Sequence, residues 1–122
     1  MRCPCLSGLP SSECCEPLHR GESVAPTAEA LMRSRFSAFA VGDSGYLLSS
    51  WHPSTRPAEL ELDPDLRWYR LDIVDRAAGG PLDARGEVEF EAFWRSPDAR
   101  GSQRERSTFV REGGRWFYLA EA

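Results

Sequence analysis

All four cysteines of this chain fall within its first fifteen positions, in the run Cys3-Pro4-Cys5-Leu6-Ser7-Gly8-Leu9-Pro10-Ser11-Ser12-Glu13-Cys14-Cys15. Thiolate sulfur is a soft ligand suited to zinc, and structural zinc sites are four-coordinate and tetrahedral. Four clustered cysteines therefore complete one shell and leave no position open. The spacing is C-x-C, eight residues, then C-C. It predicts a tight first turn bearing two ligands and a short loop, eased by Gly8 and Pro10, that returns the other pair. The cofactor expected is Zn(II) in a structural role, on Cys3, Cys5, Cys14 and Cys15. His19, four residues beyond Cys15, offers an alternative fourth ligand.

Two other uses of the same cysteines compete. A pair of disulfides expects an oxidising compartment and a signal peptide, and residues 1 to 25 contain no apolar run. Redox or nucleophilic use of a vicinal Cys14-Cys15 pair needs a cationic neighbour, for which His19 or Arg20 stands close in sequence.

At 122 residues, 41% hydrophobic and 28% charged, the chain has room for one core and a short appended segment. Its net charge of -4 argues against a nucleic-acid partner, since phosphate binding draws on clustered cations. All fifteen cationic residues are arginine, a codon bias of GC-rich genomes from which no mechanism follows. No stretch approaches the roughly 18 apolar residues of a membrane-spanning helix. No membrane partner and a cytoplasmic location are expected.

Residues 1 to 25 are rich in Cys, Pro, Ser, Gly and Glu, too polar to fold without a metal, so they read as a metal-dependent lobe ending in a linker. Residues 26 to 122 read as the second unit. Thr27 predicts an N-cap and Ala28 to Val41 a helix, with Leu31, Met32, Phe36, Phe39 and Ala40 on one stripe and Gly42 at its end. Asp43 or Ser44 caps a second short helix through Trp51, which Pro53 stops. Strands are predicted over Trp68 to Val74, Gly86 to Arg95, Arg104 to Arg111 and Arg115 to Leu119, with Ser96 to Gln103 a turn and Gly113-Gly114 a hairpin. In the second strand Val88, Phe90, Ala92 and Trp94 face one way and Glu87, Glu89, Glu91 and Phe93 the other. The pattern is α+β, helices packed on one face of an antiparallel sheet.

Three segments carry a resemblance that spans nearly the whole chain: Cys3-Pro4-Cys5 through Cys14-Cys15; Pro26-Thr27-Ala28-Glu29-Ala30-Leu31-Met32-Arg33-Ser34-Arg35-Phe36 with Trp51-His52-Pro53-Ser54-Thr55-Arg56-Pro57; and Glu105-Arg106-Ser107 with Phe109-Val110-Arg111-Glu112. In their order and spacing they resemble the YchJ-like family of small bacterial proteins, an N-terminal SEC-C motif followed by a domain of the nuclear transport factor two-like fold. The resemblance implies a cone-like curved sheet with helices across its mouth, and zinc on the four cysteines. Here Leu6 stands where the motif usually has glycine, the lysines that follow are absent, and Glu13 inverts the charge beside Cys14. The resemblance supplies no catalytic residues.

Two functions are expected from different classes. One is a non-catalytic zinc-binding module that meets another protein, since a zinc with four thiolates has no place to activate water. The other is an enzyme or small-molecule binder using the cone's cavity, with Arg35, His52 and Glu89 as its residues. Arg35 falls on the apolar face of the first helix and, buried, requires a carboxylate, for which Glu89 and Asp43 are the candidates. His52 is either a general base or a packed or capping residue. Glu87, Glu89 and Glu91 are either a solvated face answered by Arg104, Arg106 and Arg111, or the wall of a site. A cone filled by Trp68, Phe90 and Trp116 would exclude the second function.

Overall fold

The computed structural model describes Cys3 and residues 14–122. The turn through Cys5 and the loop through Gly8 and Pro10 lie outside the described residues. Among the described residues three helices precede four strands: α1 (Cys15–His19), α2 (Ala28–Val41), α3 (Ser44–Ser49), β1 (Arg67–Ala78), β2 (Arg85–Arg95), β3 (Arg100–Glu112) and β4 (Arg115–Glu121). Among the described residues no helix is long and apolar enough to cross a membrane.

α2 is the element on which the others converge. Its first turn is capped by the Thr27 hydroxyl, which accepts from the Ala30 amide at 3.0 Å. Its end is closed by Gly42 at φ 80°, a left-handed position where a side chain would be strained. Leu31, Met32 and Phe36 are each at most 6% exposed and pack on Leu71, Val88, Phe90, Phe109 and Trp116 of the sheet. Burying each such side chain stabilises by about 1.5–3 kcal/mol, so this stripe is what holds the helix to the sheet. Asp43 caps α3 by accepting from the Tyr46 amide at 3.0 Å.

The sheet is an antiparallel meander, β1-β2-β3-β4. Its register is irregular between Trp68 and Arg70, between Ile73 and Asp75, and between Thr108 and Phe109. Such bulges add twist and bend a strand, and here they curve the sheet around α2. Gly113 and Gly114, at φ 59° and 80°, form the β3-β4 turn that a two-residue hairpin favours. At the opposite corner Gly79 accepts from the Ala28 amide at 3.0 Å and donates to the Arg85 carbonyl at 3.0 Å, tying the start of α2 to the β1-β2 connection. A Cβ on the buried Gly86 would stand 2.4 Å from the Gly79 Cα, so only glycine fits there.

β1 and β3 run farther than their composition predicts. The segment from Arg100 to Gln103 is polar on both faces, which reads as turn, yet it pairs in register with Ala92 to Arg95. The turn proper is Ser96 to Ala99, closed by the Ser96 amide donating to the Ala99 carbonyl at 2.7 Å. On β2 the expected alternation holds for Val88, Phe90 and Ala92, which are buried inward, while Trp94 is half-buried against Gly101. Leu18 of α1 and Ala25 pack on the same core as α2, while Cys3 and Cys15 form a separate buried cluster. Residues 18–25 are therefore anchored on the sheet domain at both ends of that stretch.

Candidate functional site

The N-terminus of α1 and the middle of α2 bring thiols together. The Sγ atoms of Cys3, Cys14 and Cys15 all lie within 4.8 Å of one another. Cys14 and Cys15 are adjacent in sequence, and they splay because Cys14 leaves the helix at φ -123°, ψ -97° while Cys15 begins it. Their sulfurs stand 3.7 Å apart. That is too far for a disulfide, near 2.05 Å, and close to the separation of roughly 3.8 Å that a tetrahedral ion bound at about 2.3 Å from each sulfur imposes. Cys3 and Cys15 are both 2% exposed, and the Cys3 thiol lies 3.7 Å from the Ser37 hydroxyl of α2. The three residues could thus hold one metal ion. Cys5, the fourth ligand expected, lies outside the described residues.

His19 stands apart from this group. Its Nε2 donates to the Ser34 carbonyl at 2.9 Å and its ring lies 4.6 Å from that of Tyr46, so it anchors α1 to α2 and α3. Tyr46 in turn exchanges a 2.6 Å hydrogen bond with the Ser34 hydroxyl. Burial, foremost, raises the Tyr46 phenol above its ordinary range.

A second constellation lies between α2, the segment after α3, and the concave face of the sheet. There the cone encloses a cavity of about 240 Å³. Its apolar wall is Met32, Phe36, Phe39, Trp68, Phe90 and Ala92; its polar wall is Arg35, Trp51, Gln103, Glu105, Ser107 and Tyr118. Trp68 and Phe90 therefore line the space and leave it open. Trp116 lies elsewhere in the core, its indole N–H donating to the Pro26 carbonyl at 3.3 Å.

Arg35 is 4% exposed. The expected carboxylate partner is not there: Asp43 is engaged at the α3 cap, and Glu89 is on the far face of the sheet. Instead Nη1 donates to the Leu47 carbonyl at 2.8 Å and the Ser50 hydroxyl at 2.6 Å. The guanidinium also lies over two rings, 4.6 Å from the centre of Tyr118 and 5.3 Å from that of Trp51. A guanidinium can be accommodated this way because its plane is weakly hydrated and stacks on aromatic faces. Desolvation nonetheless pulls its pKa down to about 10. Both aromatic residues are set by one device: the chain at Ser50 to His52 pairs alongside β4, the Tyr118 amide donating to the Ser50 carbonyl at 2.9 Å and the His52 amide to the Tyr118 carbonyl at 2.8 Å. The Trp51 indole N–H is buried and has no hydrogen-bond partner among the described residues. Leaving such a donor unsatisfied costs about 1–3 kcal/mol. On the sheet side Glu105 accepts from the Ser107 hydroxyl and, at 3.3 Å, from the Gln103 amide. Burial first, then the Glu105 charge, push the Tyr118 phenol above its ordinary range.

His52 and Glu89, grouped with Arg35 by the sequence reading, do not line this cavity. His52 sits in the turn after Trp51. Its Nδ1 accepts from the Ser54 amide at 3.1 Å, its Nε2 lies 3.0 Å from a Glu112 oxygen, and its ring meets Phe117 edge-on. Those contacts make it a turn cap that ties the loop to the end of β3. Glu87, Glu89 and Glu91 face away from the helices, laced to Arg106, Arg104 and Ser102 on β3, with Asp75 of β1 joining at Arg106. They form the solvated outer face; Arg111 takes no part in that ladder among the described residues. Missed from the sequence were Trp51, Glu105 and Tyr118, whose hydrophobic or strand pattern gives no sign that they share a cavity wall with Arg35.

Comparison with known proteins matches this arrangement. The family described as YchJ, middle NTF2-like domain, matches residues 27–121. A UPF0225 protein of Corynebacterium glutamicum is 57% identical over 117 residues, covering 96% of this chain and 93% of its own length. A UPF0225 protein of Streptomyces coelicolor is 50% identical over 95% of this chain and 90% of its own. The solution structure of a SEC-C motif containing protein from Rhodopseudomonas palustris superimposes with a TM-score of 0.84 at 31% identity, covering 100% of this chain and 98% of that one. The crystal structure of a SEC-C motif containing protein from Psychrobacter arcticus gives 0.77 at 28% identity, over 96% of this chain and 79% of that one. With the curved sheet, the helices across it and the cysteine cluster all in place, the chain belongs to the YchJ-like family, and residues 27–121 are its NTF2-like domain.

Proposed function

We propose that this chain is a zinc-binding, non-catalytic interaction module, in which a structural Zn(II) on Cys3, Cys5, Cys14 and Cys15 fixes the N-terminal lobe for contact with another protein. The observation that carries the reading is the convergence of three thiols within 4.8 Å, two of them buried against α2. When bound, zinc supplies folding free energy by crosslinking the segment before α1 to α1 itself. The chain's own residues do the rest. Ser37 and Ser34 receive Cys3 and His19, so the lobe has one orientation on α2. A shell of four thiolates offers no open position for a reacting water, which supports a structural role over a catalytic one. Val24, 55% exposed beside the lobe, gives that surface an apolar contact point.

The test uses the full chain, zinc-loaded or treated with a chelator, as bait in an extract of its own host. The reading expects a defined protein partner that is recovered with zinc, lost on chelation, and lost in a Cys14→Ser variant. A partner recovered equally from all three samples would contradict it.

A further inference from the structure

The cone's cavity presents spare donors beside Arg35, while its one carboxylate, Glu105, is already engaged by donors of the wall. Arg35, 96% buried by its 4% exposure, spends only Nη1 on the protein; Nε and Nη2 make no hydrogen bond among the described residues. No carboxylate lies within ion-pair distance of it among those residues, and the Trp51 indole N–H beside it is also without a partner. Opposite, both oxygens of Glu105 already accept from within the wall, one from Ser107 and one from Gln103. The groups left unmet beside Arg35 are donors, so a molecule that completes that end of the cavity brings acceptors.

Charge and shape narrow the class. A buried guanidinium with two open N–H edges is complemented by a planar anion with two oxygens, the geometry of a carboxylate. The remaining wall is aromatic and aliphatic, so the rest of the ligand is hydrocarbon. A phosphate, with three charged oxygens, would leave most of its acceptors facing Phe36 and Phe39. A volume of about 240 Å³ is space for roughly eight waters at about 30 Å³ each, the size of benzoate or hexanoate.

We propose that the cone is a binding site for a small monocarboxylic acid with an apolar body, its carboxylate accepting from Arg35 and from the Trp51 indole, its body against Phe36, Phe39, Trp68 and Phe90. Arg35 and Trp51 are the recognition pair. Tyr118 holds Arg35 from below, and Glu105 sets the far limit of the anion by repulsion.

The experiment titrates the zinc-loaded full chain with benzoate and hexanoate, against neutral benzamide and benzyl alcohol and cationic benzylamine. The readout is the indole N–H resonance of Trp51, identified by its absence in Trp51→Phe. The carboxylates should shift that resonance and bind roughly tenfold or more tightly than the neutral compounds, the discrimination expected of hydrogen bonds to a charged group. Trp51→Phe keeps the ring over Arg35 and should weaken the carboxylates about tenfold while leaving benzamide unchanged. Arg35→Met should abolish the discrimination, and should that variant not fold, Glu105→Gln decides instead by binding carboxylates several-fold more tightly. Equal affinity for benzoate and benzamide, preference for benzylamine, or no shift of the Trp51 resonance at millimolar ligand would each overturn the proposal.

Discussion

Replacing Arg35 by methionine separates two accounts of the same buried charge. If Arg35 were one half of a buried ion pair, removing it would strand a carboxylate at a cost of about 3–5 kcal/mol. No carboxylate stands within ion-pair distance of Arg35 among the described residues, and Glu105 acts on it only from across the cavity. Desolvation lowers the Arg35 pKa from the ordinary guanidinium range to about 10, which corresponds to roughly 3 kcal/mol spent at neutral pH on keeping the group charged. Against that stand the hydrogen bonds from Nη1 to Leu47 and Ser50, about 1 kcal/mol each net. The Ser50 hydroxyl retains the Tyr46 carbonyl at 2.7 Å, and it also reaches the Leu47 carbonyl at 3.3 Å. The change thus leaves one carbonyl, that of Leu47, with only the long, shared approach of the Ser50 hydroxyl, a loss of about 1 kcal/mol. Methionine preserves an unbranched stem that adapts to the cavity. Arg35→Met should therefore lie within about 1 kcal/mol of the parent, well short of the ion-pair loss. Urea unfolding at pH 7, followed by tryptophan fluorescence with the slope held common, gives the number. A loss of about 3 kcal/mol or more would refute the reasoning and restore a hidden anionic partner.

Gly86→Ala should destabilise by about 3 kcal/mol or more, because its methyl would stand 2.4 Å from the Gly79 Cα with Ala28 behind it; thermal unfolding showing an unchanged midpoint would place that corner differently. Tyr46 and Tyr118 should ionise above free tyrosine in a spectrophotometric titration of a Tyr69→Phe background. Since both folded pKa values are raised, their contribution to stability is complete below about pH 10 and is lost as pH rises through the folded values. Stability that increased across that window would give the wrong sign. Cys3→Ser should release the metal and loosen residues 14–25, while amides of β2 and β3 stay protected from exchange, since the core of α2 and the sheet does not pass through the thiols. Loss of protection across β2 and β3 would show one cooperative unit.

What sequence alone could reach follows the reach of its physics. α2 and its caps were legible because Thr27, the apolar stripe and Gly42 are local signals, and β2 was legible because Val88, Phe90 and Ala92 alternate with glutamates. The outer glutamate ladder followed from the same alternation. β3 was read short because Arg100 to Gln103 is ladder-paired without an apolar face, so hydrogen bonding there leaves no trace in hydropathy. α1 was not foreseen: five residues give too few turns for a period. Burial of Arg35 was legible from its place on the stripe, but its partners were not, since a carbonyl, a hydroxyl and two rings from distant segments substitute for the carboxylate that burial alone suggests. Cysteine clustering was visible in the spacing, while the seating of Cys3 on Ser37 and the diversion of His19 to Ser34 required the tertiary contact of lobe and helix.

The central claim is a metal held by the N-terminal thiols, and the most direct measurement is the intact mass of the natively sprayed full chain beside its metal analysis, with thiol alkylation before and after chelation. The account predicts one zinc per chain, four cysteines protected from alkylation while zinc is bound, and all four modified once a chelator removes it. A zinc-free chain whose mass is lower by two disulfides, or a zinc-loaded chain in which Cys15 is alkylated at the rate of an exposed thiol, would contradict it.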